Sequence, residues 1–226
     1  MKSRYLFAFL ASALATTLAG CVTKPPPYDY SAFMQAKPAT LLVLPPISES
    51  PDIKATPGTW AQATKPLAEA GYYVLPVALV DETFKQNGVN TADEAQGIPF
   101  KKLHEFFGAD AAVYLKVVKY GTTYKFVMSE TRVEVEARVV DLRSGQLLWE
   151  GKAFASSAEQ QQQAQGGLVG LLVTALVQQI AGTATDAAFS YAAIANERML
   201  GSPLYNGILA GPRSPLHGQI PTDKAR

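Results

Sequence analysis

Residues Arg132 to Val139 alternate without a break. Val133, Val135, Ala137 and Val139 occupy one parity, and Arg132, Glu134, Glu136 and Arg138 the other. A period of two sends successive side chains to opposite faces of a strand, so this run demands a sheet with one apolar face and one wet, charge-alternating face. Ala111 to Tyr120 follows the same rule, with Val113, Leu115 and Val117 opposite Tyr114, Lys116 and Val118. Gly121-Thr122-Thr123 opens the connection between these two strands. Arg143-Ser144-Gly145 makes the next turn, where glycine accepts positive φ, and Gln146 to Phe154 completes a three-stranded antiparallel meander.

Ahead of the meander the pattern changes. Thr40 to Leu44 and Tyr72 to Leu75 are continuous apolar runs ended by Pro45-Pro46 and Pro76, the form of strands covered on both faces. Between them, Thr59 to Ala70 has helical composition and stops at Gly71, with Pro66 expected to delay or kink it. Together these segments predict a βαβ unit with parallel strands. Val80 to Gln86 reads as a short helix before an Asn87-Gly88 turn. Phe100, Leu103 and Phe107 mark an amphipathic helix that Gly108 ends. Further on, Thr183 to Leu200 is helical in composition, with Phe189, Ala193 and Leu200 towards one side. The fold class is therefore α+β: a βαβ unit and a meander in one mixed sheet with helices packed on it.

The beginning of the chain reads differently. Lys2 and Arg4 precede an apolar stretch from Leu6 to Leu18, and Leu18-Ala19-Gly20-Cys21 closes it with small residues before the single cysteine. This stretch is shorter than the roughly 20 residues that cross a bilayer. It resembles a bacterial lipoprotein signal. The resemblance implies cleavage between Gly20 and Cys21, acylation of Cys21, and, with Val22 in place of an aspartate, an outer-membrane anchor with the body in the periplasm. Four regions follow: residues 1–20 as signal, 21–38 as the lipidated cysteine and a Pro25-Pro26-Pro27 tether, 39–200 as the periplasmic domain, and 201–226 as an extended or disordered tail. Loss of Lys2 and Arg4 with the signal takes the formal charge from +1 to −1, which leaves no electrostatic footprint for nucleic acid.

No catalytic constellation stands out, and the expectation is a protein that is not an enzyme and needs no metal or cofactor. His104 and His217 are far apart, no serine sits in a G-x-S-x-G elbow, and acylated Cys21 leaves no thiol for catalysis, disulfides or metal. Glu134 and Glu136 could mimic a carboxylate pair, but Arg132 and Arg138 flank them as in a salt-bridged outer face. Three features suggest interaction instead. Tyr114, Tyr120, Tyr124 and Phe126 crowd one hairpin. Leu168 to Ile180, with Leu171 and Leu172, is apolar enough for either a core helix or an interface with a partner or a second copy. Leu204-Tyr205 and Ile208-Leu209 in the tail can dock on a sheet edge, in cis or in trans.

The segment Val139-Val140-Asp141-Leu142-Arg143-Ser144-Gly145-Gln146-Leu147-Leu148-Trp149-Glu150-Gly151, preceded by Gly108-Ala109-Asp110-Ala111-Ala112-Val113-Tyr114, resembles the strand–turn–strand of periplasmic domains built like the N-terminal domain of TolB. The curli-secretion channel lipoprotein and the peptidoglycan-synthase activator lipoproteins share that architecture. With the lipobox, the tether and the Gly-Pro tail, residues 18 to 212 are similar to a family of bacterial outer-membrane lipoproteins of unknown function typified by a meningococcal surface antigen. The resemblance implies a βαβ core with an antiparallel extension, no active site to carry over, and an assembly role beside a curli-channel-like lipoprotein. The chain lacks the two long membrane hairpins of the channel lipoproteins. A second reading is a small-ligand or glycan-binding lipoprotein using the cleft beyond strands one and two, near Ser48, Glu49 and Asp81.

Overall fold

The computed structural model describes residues 26–124, 129–159 and 187–221. In chain order the elements are α1 (Ser31–Ala36), β1 (Thr40–Val43), β2 (Ile47–Ser48), α2 (Ala55–Glu69), β3 (Tyr73–Val74), α3 (Val77–Gln86), α4 (Ala92–Gly97), α5 (Phe100–Phe107), β4 (Ala111–Tyr124), β5 (Ser129–Asp141), β6 (Leu147–Ser156) and α6 (Ala187–Leu200). One mixed sheet holds every strand in the order β3-β1-β4-β5-β6, with β2 also on β4. β1 runs parallel to both β3 and β4, while β4-β5-β6 is the antiparallel meander.

The alternation works as the pattern requires. Val133, Val135 and Val139 of β5 are fully buried, as are Val113 and Val117 of β4. Their face is the inner one, and α6 lies across it and against α2. Opposite this helix β6 carries Gly151, Ala153 and Ala155, paired with Ala137, Val135 and Val133. Small strand residues let the helix approach, and α6 answers with Ala188, Ala192 and Ala195, together with Tyr191 and Met199, as its buried stripe. Of the expected side, Leu200 is fully buried, whereas Phe189 and Ala193 are half-buried and flank the stripe. Gly151 also makes room within its own strand: a Cβ there would stand 2.4 Å from the Trp149 indole, which occupies that space.

Several boundaries differ from the sequence reading. Helix α2 begins at Ala55, four residues before Thr59, because Pro57 sits in the first turn, where its missing N–H has no intrahelical partner to lose. The helix continues through Pro66, which is buried. Pro45-Pro46 interrupts strand pairing without ending it: Leu44 donates to the Val113 carbonyl before the prolines and Glu49 to that of Val117 after them, with β2 between. Gly121-Thr122-Thr123 is not the connection but part of the ladder, which runs on to Tyr124 opposite Ser129 and includes a Thr122–Thr131 hydroxyl bond of 2.8 Å. Helix α4 was absent from the sequence reading. Thr91 and Glu94 form its capping box, each side chain bonded to the other's backbone.

Both chain ends are part of the body where they are described. Tyr30 and Phe33, placed in the tether by composition, are buried, as are Ile208 and Leu209 of the tail. Buried hydroxyls make the connection: Tyr30 donates to the Gly207 carbonyl and Tyr72 to that of Leu209, both at 2.5 Å. The Trp149 indole N–H donates to the Asn206 carbonyl at 3.0 Å. The tail therefore docks in cis.

Candidate protein-binding face

The outer face of β4-β5-β6 carries the side chains left over once the inner face is buried, and strand register arranges them in rows. Tyr114, Arg138 and Glu150 form one row; Lys116, Glu136 and Lys152 form the next, which Ile47 of β2 extends. A third contains Lys119, Glu134 and Phe154. Along a row or between rows, each carboxylate has a cation beside it. Lys119 and Arg132 approach Glu134 at 3.9 and 3.2 Å, and Arg132 also lies 4.2 Å over the Phe154 ring. Lys116 meets Glu49 at 2.6 Å, a contact that raises the lysine pKa. Arg138 lies over Tyr114, whose own pKa burial pushes up. Carboxylates and cations set beside one another on an open strand face suit recognition by charge.

The first two rows floor a groove of about 610 Å³ with Gln96 and Ile47 at one end and Glu150 to Lys152 at the other. Gln96 is held by two bonds from its amide, to the Pro45 carbonyl at 2.9 Å and the Leu115 carbonyl at 2.8 Å. It thus satisfies acceptors left open where Pro45-Pro46 break the ladder.

The aromatic residues expected to form one patch are separated. A bulge between Val117 and Lys119 reverses the parity of β4, so Tyr114 stays on the outer face while Tyr120 turns inward, 7% exposed, beside Gly58. Tyr124, 84% exposed, stands at the far tip of the β4-β5 hairpin. Phe126 lies outside the described residues, as do Gly20, Cys21, Leu168, Leu171 and Leu172.

The strand-end cleft is largely occupied. The Trp60 indole N–H donates to the Val43 carbonyl at 2.9 Å, Gln96 takes that of Pro45, and buried Ala95 of α4 packs close by. Asp81 pairs with Lys85 at 2.6 Å, Glu49 with Lys116, and Ser48 bonds Ser50. About 230 Å³ remains, lined in part by Trp60, Asp81 and Ala92. Its polar groups are committed to the protein itself. The two histidines are likewise engaged in separate places, Nδ1 of His104 with the Ala109 carbonyl at 2.8 Å and Nδ1 of His217 with that of Ala210 at 3.1 Å. Among the described residues no three His, Cys, Asp or Glu side chains gather to hold a metal.

A family profile described as "Putative lipoprotein GNA1162-like" matches residues 28–213, the span over which the body, the face and the docked tail are built. The chain belongs to the GNA1162-like lipoprotein family. Within it, the chain is 46% identical over 205 residues to the Neisseria meningitidis protein named "Putative lipoprotein NMB1124/NMB1162", covering 90% of this chain and 94% of the relative. The crystal structure of lipoprotein GNA1162 from Neisseria meningitidis superposes with a TM-score of 0.51 at 46% identity, over 65% of this chain and all of that one. The LpoB C-terminal domain from Salmonella enterica gives 0.40 at 15% identity, over 56% of this chain and 91% of that domain, too slight a likeness to carry function. Membership in the GNA1162-like family confirms the expected relationship and makes the chain a lipoprotein of the cell envelope. Its α+β sheet with helices packed on it is the expected fold class.

Proposed function

We propose that this GNA1162-like chain is a non-catalytic docking module. Acylation at Cys21 holds it on the outer membrane, and its body faces the periplasm and seats an envelope protein on the outer face of β4-β5-β6. One observation carries the reading. Helices cover the inner face, whereas among the described residues the outer face stays open over two charge-alternating rows backed by aromatic side chains. Such a surface selects partners by charge complementarity more than by apolar area. The strand-end cleft supports small-ligand binding less well, since its carbonyls and carboxylates are already paired.

Crosslinking in intact cells from a photoreactive residue at Tyr114, read by mass spectrometry beside a Cys21→Ala control, tests this. The expected product is one envelope protein, lost in the control and weakened by Arg138→Glu. Recovery of abundant lipoproteins alone, equally from Tyr114 and from an inner-face position, would sink the proposal.

A further inference from the structure

The sheet has two unlike ends. β1 and β4 begin, β5 finishes and β6 begins at the same one, since Leu41, Ala111 and Asp141 share a row and Val140 faces Leu147. The chain arriving from Cys21 also enters there. The Pro26 carbonyl accepts from the Asn206 side-chain amide, whose Oδ1 takes the Tyr28 N–H, and Asn206 is the residue bonded to Trp149 near the start of β6. Four residues lie between Cys21 and Pro26, and the five steps along the chain limit the reach from the acylation site to about 17 Å.

Exposed apolar side chains concentrate at this end. Of ten large hydrophobic residues exposed among those described, six belong to it. Tyr73 pairs with Thr40 at the start of β1, and Leu147 opens β6. Met34 lies on α1 just ahead of β1, beside a cavity that His217 and Gly218 also line, two residues before Ile220. Leu204 accepts from Gly207 in the loop that carries Asn206. Phe106, 63% exposed, sits near the end of α5, the helix leading into β4. It borders an apolar groove of about 400 Å³ with Phe84, Ile98 and Phe107. Cations accompany them: Lys101 and Lys102 are exposed on α5, and Arg213 lies over the Tyr73 ring. Aromatic and aliphatic side chains interspersed with lysine and arginine suit the headgroup boundary of a bilayer, where apolar groups enter by about 5–10 Å.

We infer that this end of the body is a lipid-contacting surface, seated on the bilayer that the acyl chains of Cys21 enter. The inference rests on the anchoring reading, and adds that the body lies down on its membrane instead of swinging on a tether. The acyl chains then hold the chain on the bilayer, and the surface fixes how the body is oriented on it.

The acylated chain contains no free thiol once Cys21 is modified, so a cysteine introduced at Phe106, Leu204 or Tyr124 can be labelled alone with an environment-sensitive fluorophore. Each full-length labelled chain is placed in phosphatidylethanolamine–phosphatidylglycerol vesicles, with and without a lipid-borne quencher. Probes at 106 and 204 should lose roughly half or more of their emission to the quencher, and a probe at 124, at the opposite end, almost none. Vesicles that carry the chain but leave 106 and 204 as unquenched as 124 would overturn the surface while leaving the anchor intact. Failure of the acylated chain to float with the vesicles overturns both.

Discussion

Asp110 and Arg143 join the start of β4 to the turn between β5 and β6. One carboxylate oxygen of Asp110 takes the Arg143 guanidinium, and the other accepts the backbone N–H groups of Ala39 and Thr40 at 3.0 Å each. The side chain thereby closes the entry of β1, whose first N–H groups lack a strand partner. Replacing it should leave two donors unsatisfied. We expect Asp110→Ala to cost about 2–3 kcal/mol and Arg143→Ala, on the exposed side of the pair, under about 1 kcal/mol. Urea denaturation of both variants checks the asymmetry; equal losses would mean that the ion pair, not the backbone cap, is what matters.

Gly151→Ala places a Cβ where the Trp149 ring lies. The ring is enclosed and cannot yield freely, so a loss of about 1–3 kcal/mol is expected together with a shift in tryptophan emission. Unchanged emission with native stability would show that the indole has room to move.

Ile208→Ala should destabilise the whole body by about 2–4 kcal/mol, as for any buried isoleucine, although it lies in an aperiodic tail. Ile220→Ala, exposed, should change stability by less than about 0.5 kcal/mol. A thermal unfolding curve for each decides whether residues after Gly201 belong to the cooperative unit.

Alkaline pH should release that tail. Burial raises the Tyr30 hydroxyl pKa to about 12, and that of Tyr72 is raised further. A group whose folded pKa exceeds its unfolded value, about 10 for tyrosine, stabilises fully below the unfolded pKa and loses its contribution as pH rises through the folded one. For Tyr30 the window is therefore about pH 10 to 12. Tyr30→Phe removes the bond to Gly207 at every pH and should flatten the fall in urea midpoint across that window, with tyrosinate absorbance following the remaining groups.

Gln96→Ala should cost about 1–2 kcal/mol by stranding the carbonyls of Pro45 and Leu115. It should also lower crosslinking from Tyr114, since Gln96 forms one end of the groove. Loss of stability with unchanged crosslinking would confine Gln96 to a structural role.

Much of this architecture could be read from side-chain parity. Arg132 to Val139 specified which face is wet, and the arginine beside Glu134 in that run anticipated the Arg132–Glu134 ion pair. Parity failed where backbone geometry intervenes: nothing at Val118 announces the bulge that turns Tyr120 inward and separates it from Tyr114. Helix α4 had a legible signal in Thr91-x-x-Glu94, but the helix is short and mostly exposed, so it has little apolar period. The tail was half legible: Ile208-Leu209 marked a docking segment, and both are buried, but its seat in cis also depends on the hydroxyls of Tyr30 and Tyr72 and the backbone N–H groups of Gly211 and Arg213 meeting main-chain carbonyls, contacts that leave no repeat in the sequence. The groove likewise needs Gln96 and Ile47 brought beside strands that begin later in the chain, a meeting that no local pattern encodes.

The β4-β5 ladder runs on from Gly121 and Arg132 to Tyr124 and Ser129, past the end of β6, at the end of the sheet opposite the entry of β1. A partner pulling on that arm while the membrane holds the other end would apply its force along the strands. Ladder hydrogen bonds lie across this direction, so β1, β4 and β5 would be loaded in shear, every rung together, instead of being unzipped one at a time. Loaded this way, the sheet would resist extension better than one peeled apart strand by strand.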